Sequence, residues 1–372
     1  MLFDLDKYLT PVWKGDTVYD ESVMIVENRD GSMDPVSLLY PATQVISVMN
    51  CQLTVRYEES KDYYLKDGKL VIIPDGRIYR FRYDEYYPLT DENKDVFGIK
   101  DDRFVLWKES DYFHQRQVAV TYRHETDNSI PIPVYQGGSL KKTVRKLKDK
   151  ENINILFYGD SITFGWNSSG MSDSAPFLPT WGMLTCMGLL KAYGYDRIIK
   201  DGEEIAGEKG SIRYINTAVS GTNVKWGEAN AKALVSDKHP DLVFIAFGMN
   251  NAGMDPEAVK EITGSIMNIA REGNNECEFI LVTTTLPNPE IIHCMGHREL
   301  FIPKMQELAA EKPGTCVCDM TTMHKAFLMR KPYCHMTGND VNHPNDFLIR
   351  VHAQVMLAAL VNGDHYSKQN RK

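Results

Sequence analysis

No uninterrupted apolar run in this 372-residue chain is long enough to span a membrane, and the opening Met1-Leu-Phe-Asp-Leu-Asp-Lys lacks a basic stretch followed by an apolar one. No membrane partner is expected, and cytoplasmic residence is the default. Positive charge is also scarce. With 42 Lys and Arg against 50 Asp and Glu, a net charge of −8 and a pI near 5.7, nucleic acid and anionic membrane are poor partners, because both reward a concentrated basic face. The one basic run, Lys141 to Lys150, carries Leu140, Val144 and Leu147 at helical spacing and reads as a solvated linker helix. The seven cysteines are odd in number and scattered, which suits reduced thiols better than a disulfide framework. The segments His293-Cys-Met-Gly-His297, Cys334-His335 and Cys316-Val-Cys318 hold metal-ligand residue types without paired C-x-x-C or H-E-x-x-H spacing, so no metal and no cofactor is expected.

What is present is apolar residues enough for two cores, 43% of a chain longer than a typical single domain. From Asp16 to His124, short runs such as Gln52-Leu-Thr-Val-Arg-Tyr57, Leu70-Val-Ile-Ile73 and Gln117-Val-Ala-Val-Thr-Tyr122 alternate or cluster β-branched and aromatic residues between turn signals. They predict an all-β, jelly-roll-like sandwich over residues 1–138. After Pro131-Ile-Pro133 and Gly137-Gly138 the pattern changes to apolar strands alternating with helical stretches, at Ile153–Tyr158, Tyr214–Val219, Leu242–Phe247, Phe279–Thr284 and Cys316–Met320. These predict an α/β domain over 151–372, a five-stranded parallel sheet covered on both faces, reached through a linker helix at 139–150.

The first of those strands runs into Gly159-Asp160-Ser161, which puts a serine where the loops of an open α/β sheet converge. A nucleophilic Ser161 needs a base. Gly338-Asn-Asp340-Val-Asn-His343-Pro344 supplies one just ahead of a helical segment, and the Asp340 to His343 spacing suggests that the carboxylate reaches one imidazole nitrogen while the other takes the serine proton. Oxyanion donors are available at two further strand ends, as the Gly221 N–H and the Asn250 side chain. Asp160, beside the nucleophile, is read as a structural hydrogen-bonding partner. Trp166, Trp226 and Asn251 are read as substrate-contacting, whereas Trp181, inside a helical stretch, is read as core.

Gly-Asp-Ser161, a later Gly221, Gly248-x-Asn250 and Asp340-x-x-His343, in this order, resemble the SGNH (GDSL-type) hydrolase superfamily over roughly residues 151–362. The resemblance implies Ser161 as nucleophile, Asp340 and His343 as its acid and base, and Ser161, Gly221 and Asn250 as oxyanion donors. The family usually reads Gly-x-Asn-Asp; here Asn251 holds the last place and keeps hydrogen bonding without the charge. A β-sandwich ahead of such a domain is similar to the two-domain carbohydrate esterases of carbohydrate esterase family 2. That similarity implies O-deacetylation of an oligo- or polysaccharide, and some members of that family use a Ser–His dyad without the acid. The expectation is therefore a cofactor-free serine esterase acting on acetylated glycans. Its rivals are a thioesterase or lysophospholipase and an inactive glycan-binding protein. The many N-terminal aromatics suggest packing against the hydrolase region or against a second subunit of a homo-oligomer.

Overall fold

The computed structural model describes residues 2–363 apart from positions 93, 94, 101, 128, 205, 206 and 208, so the expected domain limit at 372 lies outside the described residues. Its centre is a six-stranded sheet in the order Arg197–Lys200, Ser211–Asn216, Ile153–Gly159, Leu242–Ala246, Glu278–Val282, Thr315–Cys318. Every neighbouring pair is parallel. All five expected strands are present. The sixth, Arg197–Lys200, was missed because a charged residue at each end leaves only two apolar positions between them. Ser211–Asn216 begins earlier than expected because Arg213 interrupts its apolar pattern.

Strand Ile153–Gly159 sits where the chain's progress across the sheet reverses, so its carboxyl end opens into the crevice at the topological switch point. Alternation along it fills two cores. Leu156 and Tyr158 face a cluster with Val243, Phe279 and the helices Val224–Leu234, Pro256–Gly273 and Phe301–Glu311. Ile155 and Phe157 face the other cluster, which takes in the helices Lys141–Asp149, Trp181–Tyr193 and Asp346–Leu360. Leu140, Val144 and Leu147 are buried, as the spacing of the basic run predicts.

The expected β-rich N-terminal region contains a four-stranded antiparallel sheet in the order Thr17–Met24, Gln117–His124, Ala42–Asn50, Arg56–Tyr57. Two separate hairpins, Tyr63–Lys66 with Lys69–Ile72 and Val96–Ile99 with Arg103–Leu106, complete it. The region is thus antiparallel and β-rich, as expected. Its core is continuous with the second cluster of the parallel sheet. The predicted strand Gln52–Tyr57 shrinks to Arg56–Tyr57, because Leu53 turns at φ +59° and the Asn50 side chain accepts the Thr54 and Val55 N–H groups at 2.8 Å each.

Polar contacts bind the N-terminal region to the segment 331–350. Lys331 and Glu21 form an ion pair with both side chains fully buried, and the Tyr122 hydroxyl also donates to Glu21, at 2.7 Å. Gln117 Nε2 donates to the Thr337 carbonyl at 2.9 Å, and Asn345 Nδ2 to Ser22 Oγ at 2.8 Å. Arg350 donates to the Tyr19 and Asp20 carbonyls at 2.9 and 2.8 Å. A buried ion pair of this kind is worth little against an apolar replacement of both partners, but removing one partner leaves an uncompensated charge.

Candidate active site

Ser161 opens a short helix, Ser161–Phe164, at the end of the central strand. Asp160 is its N-cap: the carboxylate accepts from the Ile162 N–H at 3.1 Å and reaches across to the Met249 N–H at 3.3 Å. One buried side chain thus fixes the nucleophile turn and the Gly248-Met-Asn-Asn251 loop together. Burial pushes the Asp160 carboxyl up to about 6, against the lowering effect of those N–H groups. The expectation that Asp160 is a structural partner agrees with this placement. Trp181, fully buried as expected, braces the same helix by donating from Nε1 to the Ile162 carbonyl at 3.1 Å.

Ser161 Oγ lies 2.9 Å from His343 Nε2, with the two residues only 5% and 8% exposed. The other ring nitrogen does not meet Asp340. His343 Nδ1 is 2.7 Å from Asn167 Oδ1 and 3.4 Å from Glu109 Oε2. The Asn167 amide is oriented by its surroundings, since Nδ2 donates to the Ser110 carbonyl at 2.8 Å and to the Gly338 carbonyl at 3.3 Å, leaving Oδ1 for the imidazole. Glu109 Oε1 accepts from Asn339 Nδ2 at 3.0 Å. Glu109 and Ser110 belong to the N-terminal region.

The expected pairing of Asp340 with His343 presumed a helical turn, and the loop is not one. Asn339 Oδ1 accepts the N–H groups of Val341, Asn342 and His343 at 3.0 Å each, which winds the loop around that amide. Asp340 sits at φ +64°, the left-handed region that Asp and Asn tolerate. Its backbone is held by Thr337 Oγ1 and Asn288 Nδ2 at 2.9 Å each. Its side chain is fully buried beside the Tyr86 phenol, with neither oxygen meeting a donor at ordinary hydrogen-bonding distance. Burial pushes this carboxyl well above the usual carboxylate range.

Gly221, at φ +75°, lies in the loop before helix Val224–Leu234 and has nothing near the place a Cβ would occupy. Among the described residues no protein acceptor takes the Gly221 or Ser161 N–H. Asn250 is exposed and uses one Nδ2 hydrogen on the Thr222 carbonyl at 2.9 Å, leaving the second available. Asn251 is corrected from a substrate contact to a brace: it is fully buried, and its Oδ1 accepts the Val224 N–H at 3.1 Å. Trp166, 37% exposed, projects beside the nucleophile turn near Phe164, whereas Trp226 is half-buried near Tyr158. Buried Arg298, unnoticed in the sequence, donates to the Met249 and Met295 carbonyls and steadies the Asn250 loop. Among the described residues no three His, Cys, Asp or Glu side chains converge as a metal site would need.

A serine and histidine in hydrogen-bond contact at the switch point, with unused N–H donors nearby, is an arrangement able to perform acyl transfer. The model of the GDSL-like lipase/acylhydrolase family matches residues 157–347, a little over half of the chain. The chain belongs to the GDSL-like lipase/acylhydrolase family. Among solved structures it is similar to a two-domain esterase (CEX) active on acetylated mannans, at 20% identity over 66% of this chain and 56% of that one, with a TM-score of 0.46. The match thus spans little more than half of that esterase. It is also similar to Axe2, an acetylxylan esterase from Geobacillus stearothermophilus, at 16% identity over 57% of this chain and 97% of that one, with a TM-score of 0.41. A third, LAE5, an α/β hydrolase from the metagenome of Lake Arreo, Spain, is 20% identical over 57% of this chain and 97% of that one, with a TM-score of 0.43. A search of curated proteins finds no match.

Proposed function

We propose that this acylhydrolase is a serine esterase that removes small acyl groups, acetyl first, from carbohydrate hydroxyls through an acyl-Ser161 intermediate. The observation that carries the reading is the 2.9 Å contact between Ser161 Oγ and His343 Nε2. Ser161 Oγ attacks the ester carbonyl as its proton passes to His343 Nε2. The oxyanion is met by the Ser161 and Gly221 N–H groups and the second Asn250 Nδ2 hydrogen. Collapse of the tetrahedral adduct breaks the ester C–O bond, and the sugar alkoxide leaves with the proton from His343. Water, deprotonated by the same imidazole, then releases acetate and restores Ser161.

A nucleophile this covered suits a small acyl group, and the exposed face of Trp166 offers a surface on which sugar C–H edges can lie. One observation favours a second reading, a longer acyl chain. A cavity of about 450 Å³ next to the nucleophile helix is lined by Phe164, Met171, Phe177, Met183 and Tyr214. Two assays separate them: acetate release from acetylated mannan and xylan, and kcat/KM on p-nitrophenyl esters from acetyl to dodecanoyl. The first reading expects acetate release and a preference for the shortest ester. Preference for the long esters with no acetate release overturns it.

A further inference from the structure

An imidazole that takes a proton at Nε2 must carry one at Nδ1, and that N–H needs an acceptor to hold the ring in this tautomer. The amide of Asn167 fills this need at 2.7 Å, but a neutral amide provides no charge against the imidazolium that forms when Ser161 gives up its proton. The carboxylate poised to do so comes from the other region of the molecule. We propose that Glu109, at 3.4 Å from Nδ1, is the carboxylate that supports His343, with Asn167 setting the tautomer; both are positioning residues. The proposal rests on His343 being the base of Ser161.

Three observations agree with this division of labour. Glu109 is aimed, because Asn339 Nδ2 holds its other oxygen, and Asn339 is the residue around which the His343 loop is wound. Partial burial works to raise the Glu109 carboxyl, but hydrogen bonding to His343 and Asn339 outweighs it and holds the group below the ordinary carboxylate range. The other acids close in sequence to Ser161 and His343 are placed elsewhere. Asp160 is tied to the Ile162 and Met249 N–H groups, Asp346 accepts the Ser169 N–H at 2.8 Å, and Asp340 is buried beside Tyr86. With 40% of its side chain exposed, Glu109 works through a partly solvated contact, so its effect is moderate.

The test is Glu109→Gln, which keeps size and an acceptor for Asn339 while removing the charge. On p-nitrophenyl acetate, kcat is expected to fall roughly 10- to 100-fold with KM little changed. The acid limb of the kcat/KM profile should move to lower pH, since the imidazolium has lost its counter-charge. Glu109→Asp should recover part of both, and Glu109→Ala is read by the same profile if the Gln protein does not accumulate. Full activity in Glu109→Gln, or lost activity with an unmoved acid limb, overturns the proposal. Ser161→Ala and His343→Ala run alongside keep the two readings apart. If either retains turnover, the base assignment itself is wrong; if both are dead and the Glu109 profile is unmoved, only the role of Glu109 falls.

Discussion

The parallel sheet and the antiparallel N-terminal region stand on opposite sides of one histidine. Nε2 of His343 faces Ser161 at the end of the central parallel strand, while Nδ1 faces Glu109 and an Asn167 amide anchored on the Ser110 carbonyl. The two regions also differ in how they are filled. The parallel sheet has one cluster wholly its own, whereas the core of the antiparallel region is continuous with the sheet's second cluster. The N-terminal strands are therefore an integral wall of the hydrolase, and the support proposed for His343 crosses between regions.

The largest effect comes from removing the Nε2 side. Ser161→Ala and His343→Ala should each lower kcat on p-nitrophenyl acetate by about 10⁴-fold or more, with unchanged circular dichroism. Near-native turnover in either variant would mean that the parallel sheet does not carry the chemistry. Next is the seam between the regions. Lys331→Met leaves Glu21 buried without its partner and should reduce unfolding free energy by about 3–5 kcal/mol, measured by urea denaturation. A loss under 1 kcal/mol would show that the regions are joined less tightly than the buried pair implies.

A smaller effect, confined to the parallel-sheet side, follows from Asp160. Its folded-state pKa of about 6 lies above the usual carboxylate value near 3.9, so folding favours the protonated form. Its contribution is present below the unfolded pKa and is lost as pH rises through about 6, roughly 2–3 kcal/mol in all. The stability difference between wild type and Asp160→Asn should shift in the variant's favour across this window, and a pH-independent difference would contradict it. The smallest effect is expected at Asp340→Asn. Burial already works against the charged form of this carboxyl, and Asn accepts φ +64°, so kcat should change by less than about threefold. A large kcat loss in a folded protein would restore Asp340 as the partner of His343.

The contrast between the regions is also one of legibility. The meeting of Ser161 and His343 could be read from sequence because one follows a strand end and the other precedes a helix whose apolar pattern is plain, and the same patterns put Gly221 and Asn250 at strand ends, where the proposed mechanism uses them. Asp340 was misplaced because a three-residue spacing says nothing about the conformation between; the Asn339 side chain, accepting three successive N–H groups, decides that. Asn167 had a faint signal, an Asn after Gly165-Trp166 where φ is +63°. Glu109 had none: it lies in a region without a motif, and only tertiary packing brings it to the imidazole. The N-terminal aromatics suggested packing against the hydrolase region or a second subunit without deciding between them, since periodicity shows which residues are buried without naming what they are buried against.

Helix Asp346–Leu360 has a bearing on how the molecule comes to exist. Nearly every residue of it is buried, and Gln354 joins the Tyr8 carbonyl at 2.8 Å and the Val12 N–H at 3.1 Å, closing almost the full length of the chain. During synthesis the antiparallel strands emerge well before this helix and remain without this covering layer until it arrives. Such long-range closure slows folding and leaves early strands unsheltered for longer than local packing would. The contact between Ser161 and His343 accordingly forms only once both regions have been made, because the loop carrying His343 directly precedes this helix.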